Sequence, residues 1–343
     1  MAMLTEQEFK KQLSSGDLPQ VCLIFGDENY LKKHYASQLE KKSVDEAMAS
    51  FNLHRINGDS FAFDGLYQAV QSMPFMSDYS CVTVKDLNVE KLPKDEFELL
   101  LDLLGDPNES CVLLFRMDSI ELDDKKEKTK SFIDAVDRVG VVLRLDKMKG
   151  VQLLKLLESG AAKRGCQMSR DVSSYLATRV GDDLNTLLNE LEKLCFYKGE
   201  GEITRRDVDA ICIRSLDASV FDLSKALVSG TAQQAFNILN DLLAQKEKPV
   251  AILGTLINVY VDMYRAQVAL SSGEAADAAA DVFNYRRSAF RLKNAARNSA
   301  DMSLEQIRNC LDILADADTR IKSTALDERR ILEELMLRLM LIS

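Results

Sequence analysis

A nucleoside triphosphate is held by a glycine-rich turn that carries a lysine, and in this chain such a turn should follow the first apolar run, Val21–Phe25. The residues there are Gly26-Asp27-Glu28-Asn29-Tyr30-Leu31. A phosphate loop needs small residues, so that backbone N–H groups wrap the phosphates, and a Lys to neutralise them. Two carboxylates stand in their place and would repel the anion. The only pair of glycines at phosphate-loop spacing, Gly160 and Gly165, is followed by Cys166-Gln167 and lies between predicted helices. The apolar run Cys81–Val84 leads into Lys85-Asp86-Leu87 rather than into the paired acids that hold Mg²⁺ and position water. Neither intrinsic ATP hydrolysis nor nucleotidyl transfer is expected.

Other chemistries lack their residues. The two histidines, His34 and His54, have no cysteine or carboxylate at ligand spacing, so no metal site and no histidine-dependent active site is expected. Adjacent acids at Asp123-Asp124 and Asp182-Asp183 point apart on any regular element and read as charges at helix N-termini. No G-x-S-x-G, Cys/His pair or H-E-x-x-H is present. Seven scattered cysteines, mostly inside apolar segments and without a C-x-x-C, read as buried thiols of a reducing compartment. The expectation is a chain without cofactor that binds protein partners instead of catalysing a reaction.

Two segments stand out as binding candidates. In Gln71-Ser72-Met73-Pro74-Phe75-Met76-Ser77-Asp78, Pro74 must end the helix predicted over 64–73, because proline disfavours α geometry in the residue before it. Phe75 and Met76 then fall in the connection to the next strand. Taken alone, they read as residues that cap the core between helix and strand. The second candidate is basic: Arg286, Arg287, Arg291, Lys293 and Arg297, interleaved with Tyr285 and Phe290. Its plainest reading is a solvated or partner-facing helix, and contact with DNA or another subunit is the sharper one.

Elements to position these residues are legible in the hydrophobic pattern. At 343 residues the chain exceeds what one core usually serves. A net charge of −10 argues against coating nucleic acid by bulk electrostatics, though not against a local basic patch. Five apolar runs, Val21–Phe25, Phe51–Ile56, Cys81–Val84, Cys111–Phe115 and Val141–Leu145, recur roughly every thirty residues, the length of a strand plus crossover helix. Leu66, Ala69, Val70 and Met73 line one helical face, as do Phe97, Leu100, Leu101 and Leu104. These features predict a doubly wound parallel α/β domain over 1–146. After Lys147 the strand signal stops. Helices predicted over 151–164, 170–180, 183–198 and 204–213, with Ser169 and Thr204 as N-caps, make a small helical domain, 147–214. Residues 215–343 are predicted all-helical. The apolar runs are too short to span a bilayer, and Met1 to Leu18 lacks a signal-peptide core, so a cytoplasmic chain without membrane contact is expected.

Val21-Cys-Leu-Ile-Phe-Gly-Asp-Glu-Asn-Tyr-Leu31 resembles the opening of the delta-subunit family of bacterial DNA polymerase III clamp loaders. Gln71 to Asp78, followed by a strand ending Val84-Lys85-Asp86-Leu87, resembles the family's clamp-binding element. Gly181-Asp-Asp-Leu, Asn189 to Leu194 and Ile203-Thr204 with Asp207-Val208 resemble its lid domain. Ile321 to Thr324 and Leu332 to Leu335 resemble its terminal collar helices. The resemblance implies an AAA+-like architecture with no functional P-loop, a helical lid and an all-α collar. It implies assembly with clamp-loader ATPase and delta-prime subunits, and DNA as a partner within the assembled complex. Its main target would be the ring-shaped sliding clamp, the beta subunit, which such proteins bind and help to open. Carried over residue by residue, the wedge is Phe75-Met76, preceded by Gln71, Ser72, Met73 and Pro74, and Met76 stands where the family commonly has Phe. On this resemblance the pair faces outward rather than capping the core. The rival readings are an active nucleoside triphosphatase of the same fold and a helical adaptor unrelated to replication.

Overall fold

Val21–Phe25 (β1), Leu53–Asn57 (β2), Ser80–Lys85 (β3), Cys111–Arg116 (β4) and Val141–Arg144 (β5) pair into one sheet of order β2-β3-β4-β1-β5, and every pairing is parallel. A computed structural model describes residues 4–148, 150–283, 285, 290–323 and 326–342. Within it the chain divides into two compact units, Met1–Leu153 and Leu154–Ser343.

In the first unit the helices are Glu6–Ser15 (α1), Asn29–Ser43 (α2), a single turn at Ala49–Asn52 (α3), Phe63–Gln71 (α4), Lys94–Gly105 (α5) and Glu127–Val139 (α6). Alternation within each strand sends side chains to opposite faces. Val21, Leu23, Phe25, Val82, Val84, Leu113 and Phe115 therefore join Leu66, Phe97, Leu100 and Phe132 in one buried cluster under α4, α5 and α6. The opposite face meets α2, where the Thr83 hydroxyl donates 2.7 Å to the buried Glu40 carboxylate. Burial on both faces is what the continuous apolar runs anticipate. β2 differs. It is one of the two outer strands, only partly buried, and it begins at Leu53 because Phe51 and Asn52 end the α3 turn instead.

Val151–Ala162 (α7) begins in the last residues of the first unit, and the second continues with Arg170–Val180 (α8), Leu184–Lys198 (α9) and Arg205–Ile211 (α10). Ser169 caps α8 as expected, and Thr204 forms a capping box with Asp207 at α10. Two three-residue strands, Cys166–Met168 (β6) and Gly201–Ile203 (β7), pair in parallel, which corrects the expectation that strands stop at Lys147. Then come Leu216–Val228 (α11), Ala232–Ala244 (α12), Pro249–Ser271 (α13), Ala279–Val282 (α14), Phe290–Asn298 (α15), Leu304–Ser323 (α16) and Glu328–Met340 (α17). Long α13, with Pro249 in its first turn, packs against α11, α15, α16 and α17 over a core running from Val220 to Leu339. Among the described residues no helix is long and apolar enough to cross a membrane.

Candidate protein-interaction site

At the end of β1 the turn that would wrap a phosphate is filled by the chain's own groups. Buried Glu28 N-caps α2, its carboxylate accepting the Tyr30 N–H at 3.1 Å. The helix terminus that would face an anion already faces one. Lys32 is buried, and its ammonium donates to the carbonyls of Gly26 (2.7 Å), Met117 and Asp118 (3.2 Å), tying the tip of β1 to that of β4. Burial lowers the Lys32 pKa, while Asp118, Asp86, Asp27 and Glu28 act in the opposite direction. Gly26 has φ +115°, and a Cβ there would stand 2.2 Å from the Leu145 carbonyl oxygen.

Beside it, Asp86 and Asp118 are held by the protein itself. The Asp86 carboxylate accepts the Ser119 N–H at 2.7 Å, and Asp118 lies 3.1 Å from Arg116. Burial would raise the Asp86 pKa, but backbone bonds from Ser119, Ile120 and Asp118 outweigh it and hold the carboxyl below its ordinary value. These acids fasten a loop to the strand ends.

The apolar corner is built differently. α4 ends at Gln71, earlier than the helical face extrapolated to Met73, because Ser72 is extended and its hydroxyl turns back to the Ala69 carbonyl. Pro74 disfavours helical geometry at Met73 as well. Met73 therefore leaves the buried stripe of Leu66 and Val70 and is 92% exposed. Phe75 is 53% and Met76 79% exposed, so neither caps the core. Met76 has φ +49°, a left-handed conformation that turns the chain sharply toward β3.

Two neighbours of this corner carry no signal in the sequence. Asn52, 1% exposed, donates from Nδ2 to the Phe75 carbonyl (2.9 Å) and accepts the Phe75 N–H on Oδ1 (2.7 Å). Phe51, 60% exposed, lies beside Phe75 with ring centroids 5.2 Å apart and planes tilted by 43°. Phe51 and Phe75 thus form one exposed pair of rings, Met73 and Met76 flank Phe75 in the chain, and a buried amide holds the Phe75 backbone.

The basic candidate resolves less tidily. Arg286 and Arg287 lie outside the described residues. Arg291 pairs at 2.9 Å with the buried carboxylate of Asp262, which also accepts the Tyr285 hydroxyl. Lys293 pairs with Asp277 at 2.9 Å. Exposed Arg297 bonds locally to Asn294 (2.6 Å) and the Lys293 carbonyl. Arg291 and Lys293 thus answer separate internal acids.

Comparison with known proteins bears on both units. A family model described as DNA polymerase III, delta subunit, matches residues 22–138. A second, described as DNA polymerase III delta subunit, C-terminal domain, matches 217–339, and together they span more than half of the chain. DNA polymerase III subunit delta of Bacillus subtilis (strain 168) is 25% identical over 338 residues, which is 96% of this chain and 95% of that relative. The solved structure of the Bacillus subtilis DNA clamp loader delta protein aligns at TM-score 0.74 and 23% identity, covering 97% of this chain and 99% of that one. That likeness shows that the chain shares this fold, a parallel sheet with flanking helices continued by a helical part, along nearly its whole length. A Thermotoga maritima protein related to the DNA polymerase III gamma subunit reaches only TM-score 0.40 at 12% identity, over 96% of this chain and 97% of that one.

Proposed function

The chain belongs to the DNA polymerase III delta-subunit family, and from that membership we propose that it binds the ring-shaped sliding clamp and helps to open it for loading onto primed DNA. The observation that carries the reading is the exposure of Met73, Phe75 and Met76 on a short, stiff corner. Large apolar side chains held out at one spot suit insertion into a preformed pocket, and pre-organisation limits the entropy lost on docking. A subunit that binds the opened ring more tightly than the closed one shifts the ring's equilibrium by that difference in affinity. No catalysis by this chain is needed.

The interface comprises Phe75 and Met76 with Gln71, Ser72, Met73 and Pro74 leading into them. The chain after residue 146 divides into a lid, 147–214, and a collar, 215–343, that joins the ATPase and delta-prime subunits. The basic stretch of Arg286, Arg287, Arg291, Lys293 and Arg297 is the candidate for a DNA or subunit contact, and Arg291 and Lys293 would make it while paired with Asp262 and Asp277.

The test is direct titration of the purified chain against its own organism's sliding clamp, with a fluorescence reporter across the ring interface. Saturable binding with an opening signal is expected. Absence of binding would favour an adaptor outside replication.

A further inference from the structure

We propose that the clamp-binding wedge is made by two separate stretches of chain, with Phe51 as a contact residue and Asn52 as the positioning residue that aims Phe75. The proposal rests on the clamp-binding reading and extends it to residues outside the corner. Asn52 lies 23 positions before Phe75 and engages both backbone groups of that single residue. A side-chain amide has one acceptor and one donor group, so this pairing does for Phe75 what a neighbouring strand would do. Just after Phe75 the chain enters the left-handed turn at Met76, a conformation that a non-glycine residue adopts at a penalty. Fixing the Phe75 peptide groups helps hold that turn. Asn52 is itself immobilised by burial at the end of α3, next to the start of β2. The corner is therefore fastened to the sheet edge and not only to its own flanks.

Phe51 follows from the same arrangement. Its ring packs at a tilt against Phe75 yet remains largely open to solvent, so the exposed apolar surface is continuous from Phe51 to Phe75. A pocket that receives Phe75 meets Phe51 at the same time. The occupant is the clamp, because Phe51 continues the surface assigned to it.

The test uses the full chain in four variants, Phe51→Ala, Asn52→Ala, Asn52→Asp and the reference pair Phe75→Ala/Met76→Ala. Clamp affinity and amide hydrogen exchange of the Phe75 segment are both measured. Phe51→Ala and Asn52→Ala should each weaken binding roughly tenfold, Asn52→Ala by lowering the fraction of chains with a competent corner. Asn52→Asp keeps the acceptor for the Phe75 N–H but sets a second carboxylate oxygen against the Phe75 carbonyl, and should weaken binding at least as much as Asn52→Ala. Exchange at the Phe75 N–H should rise in Asn52→Ala while β3 stays protected. In the Phe75→Ala/Met76→Ala background, Asn52→Ala should add no further loss, since nothing is left to aim. Phe51→Ala alters an exposed ring, so its result stands even if a change at buried Asn52 unfolds the unit. Parent-like binding by both Phe51→Ala and Asn52→Asp, alongside a reference pair that fails, overturns this inference and leaves the clamp reading intact. A reference pair that binds normally overturns both.

Discussion

The ammonium of Lys32 lies 2.7 Å from the carbonyl oxygen of Gly26, inside the turn where a nucleotide's phosphate would have to be wrapped. A lysine that serves phosphate points into an open loop, whereas this one is buried among carbonyls and Glu28 already occupies the helix terminus. Calorimetry with Mg-ATP on the isolated chain should give no saturable heat. A micromolar isotherm would revive the nucleoside triphosphatase reading.

Removing the wedge should separate binding from folding. Phe75→Ala/Met76→Ala should weaken clamp binding on the order of a hundredfold, from burial of about 3 kcal/mol of apolar surface. The melting temperature should stay near that of the parent, because exposed side chains contribute little to stability. An early-melting mutant would return these residues to the core.

How much of this could be read beforehand varied with how local the signal was. β1, β3, β4 and β5 are buried on both faces and announce themselves as apolar runs. β2 is half-buried at the sheet edge, and its apolar pattern runs on into the preceding turn, so the run Phe51–Ile56 reads as one strand although Phe51 and Asn52 belong to α3. β6 and β7 have three residues each, too few for periodicity to register. Met73 fits the i+7 position of the α4 face arithmetically, but Ser72 has already left the helix. Phe75 and Met76 were legible as a segment, and the outward direction came from the family resemblance. Asn52 was invisible, since no local pattern marks a lone asparagine whose partner is 23 residues away.

The collar should assemble alone. Its buried cluster, from Val220 to Leu339, lies wholly within residues 215–343. Expressed as a fragment and mixed with the loader's ATPase and delta-prime subunits, it should enter the complex on size exclusion. Entry of a 1–214 fragment instead would reverse the assignment.

Charge reversal should part Arg291 from Arg297. Arg291→Glu places a second negative charge on buried Asp262 and should destabilise by about 2 kcal/mol, discounted for the half-exposed arginine. Scanning calorimetry should show a drop of several degrees. Arg297→Glu should melt like the parent, so any loss of DNA-dependent loading in it reports a contact rather than misfolding.

Asp86 gives a pH test. Its folded pKa lies below the ordinary value, so its contribution is present above the unfolded pKa and lost as pH falls through the folded one. Asn tolerates the left-handed φ of +56° found there, so Asp86→Asn changes mainly the charge. The variant should lose about 1 kcal/mol at neutral pH. In denaturant melts the two proteins should converge below about pH 4. A constant difference down to pH 2 would mean that packing, not ionisation, separates them.

The seven native thiols are all free and buried. Burial pushes those of Cys81 and Cys212 up to about 12, and those of Cys195 and Cys310 up to about 11. Since the thiolate is the species that alkylates, a maleimide at neutral pH should pass them by while the chain is folded. A single cysteine in place of exposed Asp78, beside the wedge but outside it, would then take a dye or photocrosslinker without prior removal of the native cysteines. The chain comes ready for single-site labelling at the corner where its partner is expected, and its docking can be followed in real time.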